Sequence, residues 1–322
     1  MNSGGESKPL VLLDAPVPSA ISSLLEPITR TGPWSLVQEG TAEERAEVSA
    51  LFTYGHPTVD GAFLDRLPRL KVVSNFGVGV DHVDLAAART RKVPVGNTPG
   101  AVDGATADLT MAILLAAARN LIVGDRYARS AEFTRFDPSL LLGVDIHGST
   151  LGIVGLGRIG RQVARRARGF DMRILYHNRR RDLDAEQELG VEYASLDDLL
   201  ARSDFVTLNV PLTAETKGLI GERELRLLRR EAILVNVARG GVVDHDALLR
   251  ALTERWIRGA ALDVTEPEPL PREHPLLRLD NLVITPHLGS AGERSRRRMA
   301  EMSVENLRAG LEGRRLPWQV GG

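Results

Sequence analysis

The chain has 322 residues, roughly twice a usual domain of ~150, so two domains are expected. Hydrophobic residues make up 43% and charged residues 26%, the mixture of a soluble globular protein, and a formal net charge of −1 excludes a nucleic-acid binder that works by bulk charge. Cysteine is absent, which removes disulfides, thiol nucleophiles and thiolate metal sites together.

Only Lys8, Lys71, Lys92 and Lys217 are lysines, so 37 of the 41 cations are arginine, a bias that reads as genomic composition. The opening MNSGGESKP is small and polar, and the apolar run Leu10–Leu13 stops at Asp14, too short for a signal-peptide core. The longest apolar helix candidate, Met111–Ala118, lies between Asp108 and Arg119, far below the ~20 residues that span a bilayer. A cytoplasmic protein without membrane or nucleic-acid partner is expected.

Short apolar runs alternate with helical patterns along the chain. Leu10–Leu13, Ala50–Thr53, Lys71–Phe76 and Val93–Val95 read as strands, with helices over Asp60–Leu67 and Asp84–Arg91. Continuous apolar strands separated by helices indicate a parallel sheet covered on both faces. A long helix is expected from Ala105 to Ser130, then an irregular stretch from Glu132 to Gly148. A second series follows: strand Thr150–Val154, helix Arg161–Gly169, then strands Arg173–Tyr176, Phe205–Val210, Ala232–Val237, Ala260–Val264 and Leu282–Thr285. A charged amphipathic helix, Ala291–Gly313, cannot close another strand–helix unit alone and is expected to return to the first series. The predicted architecture is therefore α/β, with two doubly wound parallel-sheet domains of Rossmann-like or flavodoxin-like type. Residues 1–100 and 291–322 form the substrate-binding (catalytic) domain, and residues 101–290 form an inserted dinucleotide-binding domain. Thr98–Gly100 and Gly289–Gly292, rich in Gly or Pro, are the expected hinge.

The segment Thr150–Arg168 reads TLGIVGLGRIGRQVARRAR. Gly155, Gly157 and Gly160 fit G-x-G-x-x-G directly after an apolar strand and before a helix. The first glycine permits the tight turn, the second lets backbone approach a pyrophosphate, and the third lets helix pack on strand. The helix N-terminus offers unpaired N–H groups to phosphate. An NAD-binding unit would place an Asp or Glu at the end of the next strand to hold the ribose hydroxyls. Here that strand is followed by His177, Asn178, Arg179, Arg180 and Arg181. A guanidinium grips a 2′-phosphate that an acid would repel, so NADPH is expected ahead of NADH, with Arg179 and Arg180 as phosphate ligands.

Reactive groups of an open parallel sheet gather beyond the carboxyl ends of its strands. Three late strands are followed by Arg239, Glu268 and His287. Singly these read as a helix-entry salt bridge, a loop acid and a core histidine. Jointly they fit reduction of a 2-oxo acid. Arg239 holds the carboxylate and polarises the carbonyl, His287 gives a proton to the alkoxide, and Glu268 orients the imidazole and favours its charged form. The glycine-rich turn Asn75–Asp81 offers the N–H groups of Val78 and Gly79 as a carboxylate seat. His56 ends a strand of the first domain and is a further candidate, whereas His245 and His274 read as structural. The sequence contains no H-E-x-x-H, G-x-S-x-G or G-x-x-x-x-G-K-[ST], and no metal site is expected.

The segments NFGVGVDHVD, GNTPG, ATADLTMAILLAAARN, LGIVGLGRIG, LVNVARGGVVD, AALDVTEPEPL and ITPHLGSA resemble the D-isomer-specific 2-hydroxyacid dehydrogenases over about Leu51 to Leu311. The resemblance implies that Arg239, Glu268 and His287 are the catalytic set. It also implies cofactor contacts at Thr106, Leu156, Arg158, Ile159, Pro211, Thr216, Val237, Ala238, Asp263 and Gly289. Within the family, GVDIHGSTLGIVG, NRRR and PHLGSA are most similar to the glyoxylate/hydroxypyruvate reductases, NADPH-preferring homodimers, which implies a Glu132–Gly148 arm crossing a dimer interface. Those reductases often carry tryptophan in the arm, where this chain has Phe133 and Leu140–Leu142. A more aliphatic rim would suit a bulkier acid such as a hydroxyphenylpyruvate. The alternatives are a short-form phosphoglycerate dehydrogenase, a phosphite dehydrogenase and a dinucleotide-sensing binding module of the corepressor kind.

Overall fold

The computed structural model describes residues 8–321. The chain divides into two compact units, one running up to Val102 and resuming at Gly292, the other Asp103–Ala291.

The first unit contains strands β1 (Leu10–Leu13), β2 (Arg30–Pro33), β3 (Val48–Thr53), β4 (Val72–Asn75) and β5 (Val95–Gly96). They form one parallel sheet in the order β2-β1-β3-β4-β5. Successive side chains point to opposite faces, and both faces are dry. Leu10, Leu12, Val48, Leu51 and Val73 pack on one side with Leu64 and Ala88. Val11, Ala50, Phe52 and Val72 pack on the other with Ile21, Leu25 and the final helix. Asp60 and Asp84, read as first helical residues, are instead N-caps accepting from the Phe63 and Ala87 N–H groups, so the helices are Gly61–Asp65 and Leu85–Thr90. Strand β2 escaped the sequence reading because it is a polar, mostly exposed edge.

The helix Glu293–Leu311 contributes Met299, Val304 and Leu307 to the first unit's core. It is fastened by Ser74 Oγ donating to the Ser303 carbonyl at 2.6 Å and by Asn306 Nδ2 donating to the Asn97 carbonyl at 2.9 Å. Beyond it the chain lies along β5, the Val320 N–H donating to the Val95 carbonyl at 2.8 Å.

The second unit contains β6 (Thr150–Val154), β7 (Arg173–His177), β8 (Glu192–Tyr193), β9 (Phe205–Leu208), β10 (Ile233–Asn236), β11 (Gly259–Leu262) and β12 (Leu282–Ile284). The order is β12-β11-β10-β9-β6-β7-β8, with every pairing parallel. The chain therefore winds one way from β6 to β8 and the other way from β9 to β12. That reversal beside β6 is where such sheets open a crevice at their carboxyl ends.

The expected single helix from Ala105 to Ser130 is two helices, Asp103–Ala118 and Leu121–Arg129, bent by 60°. Asn120 takes a left-handed φ of 51° between them, a break that hydrophobic spacing does not reveal. Among the described residues no single helix is long and apolar enough to cross a membrane, and the first piece of this bent pair buries Met111, Ile113 and Leu114 in the unit's core.

Gly310 tests the seating of the final helix. A methyl there would lie 2.4 Å from Val72 Cβ. Gly310→Ala should destabilise the protein by about 1–3 kcal/mol through overpacking, read as a lowered thermal midpoint with unchanged cofactor binding.

Candidate active site

The glycine loop joins β6 to the helix Arg158–Ala167, whose N-cap is Gly157. Gly155 has φ 98°, and a side chain there would meet the Asn209 backbone at 2.8 Å. Gly160 packs so closely that a methyl would lie 2.3 Å from the Gly155 carbonyl oxygen. A methyl on Gly157, by contrast, would meet nothing within 4 Å, so the side of the chain it would occupy is open beside the helix N-terminus. A tight turn, a close helix and an open side of the chain at a helix start together fit a pyrophosphate.

The loop is tied to the end of β7 by the Leu156 N–H donating to Asn178 Oδ1 at 2.7 Å. Of the three arginines beyond it, Arg181 is engaged: it donates to both oxygens of Glu186 at 2.8 and 2.7 Å, and the Tyr176 hydroxyl donates to the same carboxylate at 2.8 Å. Arg181 first and Tyr176 second pull the Glu186 carboxyl down to about 2, while burial pushes the Tyr176 phenol up to about 12. Arg179 and Arg180 are exposed and make no hydrogen bond or ion pair among the described residues. The first acid downstream, Asp182, caps the helix Leu183–Leu189 and pairs with Arg161. It is therefore spoken for.

The other expected cofactor contacts lie in the second unit, Thr106 in the helix Asp103–Ala118, Arg158 and Ile159 at the start of Arg158–Ala167, and the rest in loops after strands. Arg158 pairs with Asp103 at 2.8 Å, and Ile159 packs on the core. Pro211 accepts from the Thr216 hydroxyl at 2.6 Å. Val237 is buried, and the Ala238 N–H donates to Asn236 Oδ1 at 3.0 Å. The buried Thr106 hydroxyl donates to the Gly289 carbonyl at 2.9 Å.

Strands β10, β11 and β12 are neighbours, and their carboxyl ends carry the three candidate catalytic side chains. Arg239 follows β10, its carbonyl held by the buried Asn236 amide at 2.9 Å and its guanidinium donating to the Ala238 carbonyl at 2.9 Å. The next residue must be glycine, because a methyl on Gly240 would lie 2.0 Å from the Thr265 carbonyl carbon. That close approach sets the Arg239 loop against the loop bearing Glu268. Glu268 accepts from the Thr265 N–H at 3.3 Å and from His287 Nδ1 at 2.7 Å. Burial opposes its charge, but the hydrogen bond and charge of His287, the Thr265 N–H and the Arg239 charge outweigh burial and hold its carboxyl below the usual range. An ionised Glu268 can only accept, so Nδ1 carries the proton of this bond.

His287 itself sits at a left-handed φ of 55°. Its N–H donates to the Asp263 carbonyl at 2.9 Å, and the buried Asp263 carboxylate accepts from the Thr285 hydroxyl, the Leu288 N–H and the Gly289 N–H at 2.6, 2.7 and 2.8 Å. Asp263 thus holds the histidine loop, a role that sequence spacing did not reveal; neither did it reveal the roles of Asn236 and Gly240. The only signal was a buried-type polar residue ending each apolar strand.

Val78 and Gly79 belong to the first unit, in the partly exposed turn after β4, and their N–H groups have no partner among the described residues. His56 in the same unit is exposed at φ 61°, its ring edge-on to His82 at 5.0 Å. His245 is buried with Nδ1 against the Val243 carbonyl, and His274 caps a short 3-10 helix, both structural as expected.

A family model described as the D-isomer specific 2-hydroxyacid dehydrogenase NAD binding domain matches residues 111–289. The chain is 49% identical over 272 residues to a glyoxylate reductase of Korarchaeum cryptofilum, covering 84% of this chain and 82% of that protein. It is 45% identical over 314 residues to a glyoxylate reductase of Pyrococcus horikoshii, covering 95% and 94%. Among solved structures, the TT0316 protein of Thermus thermophilus superposes with a TM-score of 0.87 at 45% identity, covering 97% of this chain and 99% of that one. The NADPH-dependent glyoxylate/hydroxypyruvate reductase of Sinorhizobium meliloti, in complex with NADP and malonate, superposes with a TM-score of 0.90 at 32% identity, covering 98% and 97%. On these matches the chain belongs to the D-isomer specific 2-hydroxyacid dehydrogenases, and it is an NAD(P)-dependent oxidoreductase.

Proposed function

We propose that the protein reduces a small 2-oxo acid of the glyoxylate or hydroxypyruvate type to the D-2-hydroxy acid, using NADPH ahead of NADH. The observation that carries this reading is the 2.7 Å hydrogen bond between His287 Nδ1 and a Glu268 kept ionised, at a sheet edge that also bears Arg239. The names of the relatives, glyoxylate reductases at 45–49% identity, support the substrate class. In this reading the first unit is the substrate-binding domain and the second the dinucleotide-binding domain.

The N–H groups of Val78 and Gly79 seat the substrate carboxylate. Arg239 draws on the carbonyl oxygen with its fork of donors. A bound reduced nicotinamide supplies the hydride. His287 gives the Nε2 proton to the oxygen that becomes the hydroxyl, and Glu268 stabilises the imidazolium that must exist beforehand. Gly157 and its helix start receive the pyrophosphate, and Arg179 and Arg180, in no ion pair among the described residues, take the 2′-phosphate.

We also propose a homodimer. Helix Leu121–Arg129 and the arm after it expose Leu121, Ile122, Phe133, Phe136, Leu140 and Leu142, with Phe136 82% exposed, an apolar surface that a second copy would cover.

Three measurements test this. With a panel of 2-oxo acids, kcat/KM should be higher with NADPH than with NADH, and Arg179→Ala with Arg180→Ala should raise KM for NADPH about tenfold while sparing NADH; equal efficiency with both cofactors overturns the preference. His287→Ala should lower kcat by about 10²–10⁴-fold with cofactor affinity intact, and Glu268→Gln should lower kcat with cofactor affinity likewise intact, because a neutral amide orients the imidazole less firmly than the carboxylate. Light scattering should give twice the chain mass, and Phe136→Asp with Leu142→Asp should give the single chain.

A further inference from the structure

The turn after β4 is held from behind by side-chain amides. Asn75, 1% exposed, accepts from the buried Thr53 hydroxyl at 2.8 Å, and the two carbonyls at the other end of its amide, which can only accept, fix that end as Nδ2. Its Nδ2 then donates to the Gly77 carbonyl at 3.0 Å and to the Gly79 carbonyl at 2.8 Å. Asn97 Nδ2 donates to the carbonyl between them, that of Val78, at 2.8 Å, and the Thr98 N–H adds a second bond to Gly77 at 3.0 Å. Asn97 is itself braced: its N–H donates to the Trp318 carbonyl at 3.1 Å and its carbonyl accepts from the buried Asn306.

A peptide unit is planar and trans, so a carbonyl and the N–H of the next residue point in opposite directions as one rigid piece. Clamping the Gly77 carbonyl therefore aims the Val78 N–H, and clamping the Val78 carbonyl aims the Gly79 N–H. Both N–H groups are left without a hydrogen-bond partner among the described residues, each directed opposite to a clamped carbonyl. Successive N–H groups presented this way form a concavity for an anion. Gly77 leaves room for the clamp, since a methyl there would lie 3.3 Å from Asn75 Nδ2.

We infer that Asn75 and Asn97, with Thr53 behind Asn75, are positioning residues that set the two N–H donors for the substrate carboxylate; this rests on the proposed seat at Val78 and Gly79. Their effect falls on substrate binding and not on hydride or proton transfer.

Asn97→Ala and the isosteric Thr53→Val test it in the full chain. For glyoxylate at saturating NADPH, KM should rise about tenfold in Asn97→Ala and less in Thr53→Val, as for hydrogen bonds to a charged group set out of line. The kcat should stay within about twofold, with its pH profile and the NADPH Kd unchanged. Amide hydrogen exchange over residues 76–82 of the wild-type holoenzyme, with and without oxalate, checks the seat separately. Oxalate protection in the wild type together with wild-type KM in both variants overturns the positioning role and leaves the seat standing. Absence of oxalate protection overturns the seat and this inference with it. A joint loss of kcat and NADPH affinity shows general damage to the fold and also overturns the positioning role.

Discussion

One buried carboxylate holds the loop on which the chemistry depends. Asp263 directly follows β11 and lies 2% exposed, where an unsatisfied charge would be prohibitive. It is tolerated because Thr285, Leu288 and Gly289 turn three donors onto it, and those donors straddle His287. The histidine backbone is left-handed, a conformation that costs on the order of 1–3 kcal/mol away from glycine and persists only where surroundings enforce it. The strained backbone and its restraint lie within five residues of one loop. Glu268 then has a fixed partner to meet, and the imidazole its fixed tautomer.

Parallel pairing turns these local arrangements into a site. Every strand of the second sheet delivers its carboxyl end to one edge, so residues far apart in sequence arrive as neighbours: the glycine loop after β6, the arginines after β7, Arg239 after β10, Asp263 after β11 and His287 after β12. Close backbone approach completes the arrangement. Gly155 stands against Asn209, Gly160 against Gly155, and Gly240 against Thr265, each at a distance that no side chain permits. Glycine here serves contact between loops as much as conformational freedom. The first sheet follows the same rule with simpler means, presenting backbone N–H groups in place of side chains.

Much of this was readable from the chain. Strands buried on both faces show as unbroken apolar runs, so Thr150–Val154 was placed to the residue. The glycine spacing, the missing acid after β7 and the trio at three strand ends were visible because each is local to one strand end. What escaped was either exposed or long-range. The polar edge strand Arg30–Pro33 carries no apolar run, and the two-residue strand Glu192–Tyr193 is too short to show one. Asn120 breaks a helix through its backbone angle, which leaves the hydrophobic period intact. Of the clamped carbonyls, that of Val78 depends on Asn97, 19 residues away, and Asn75, which holds those of Gly77 and Gly79, is itself set by Thr53, 22 residues away and opposite it only once β3 and β4 pair.

The return of the final helix to the first sheet has a consequence for biosynthesis. The layer over Val11, Phe52 and Val72 is built from Met299, Val304 and Leu307, and β5 acquires its outer neighbour only near Val320. As the ribosome makes the chain, the inserted unit is whole once Ala291 has emerged, while one face of the surrounding sheet carries Ile21 and Leu25 and still lacks Met299, Val304 and Leu307. Completion of that core waits for the terminal helix, and until then the face is only partly covered.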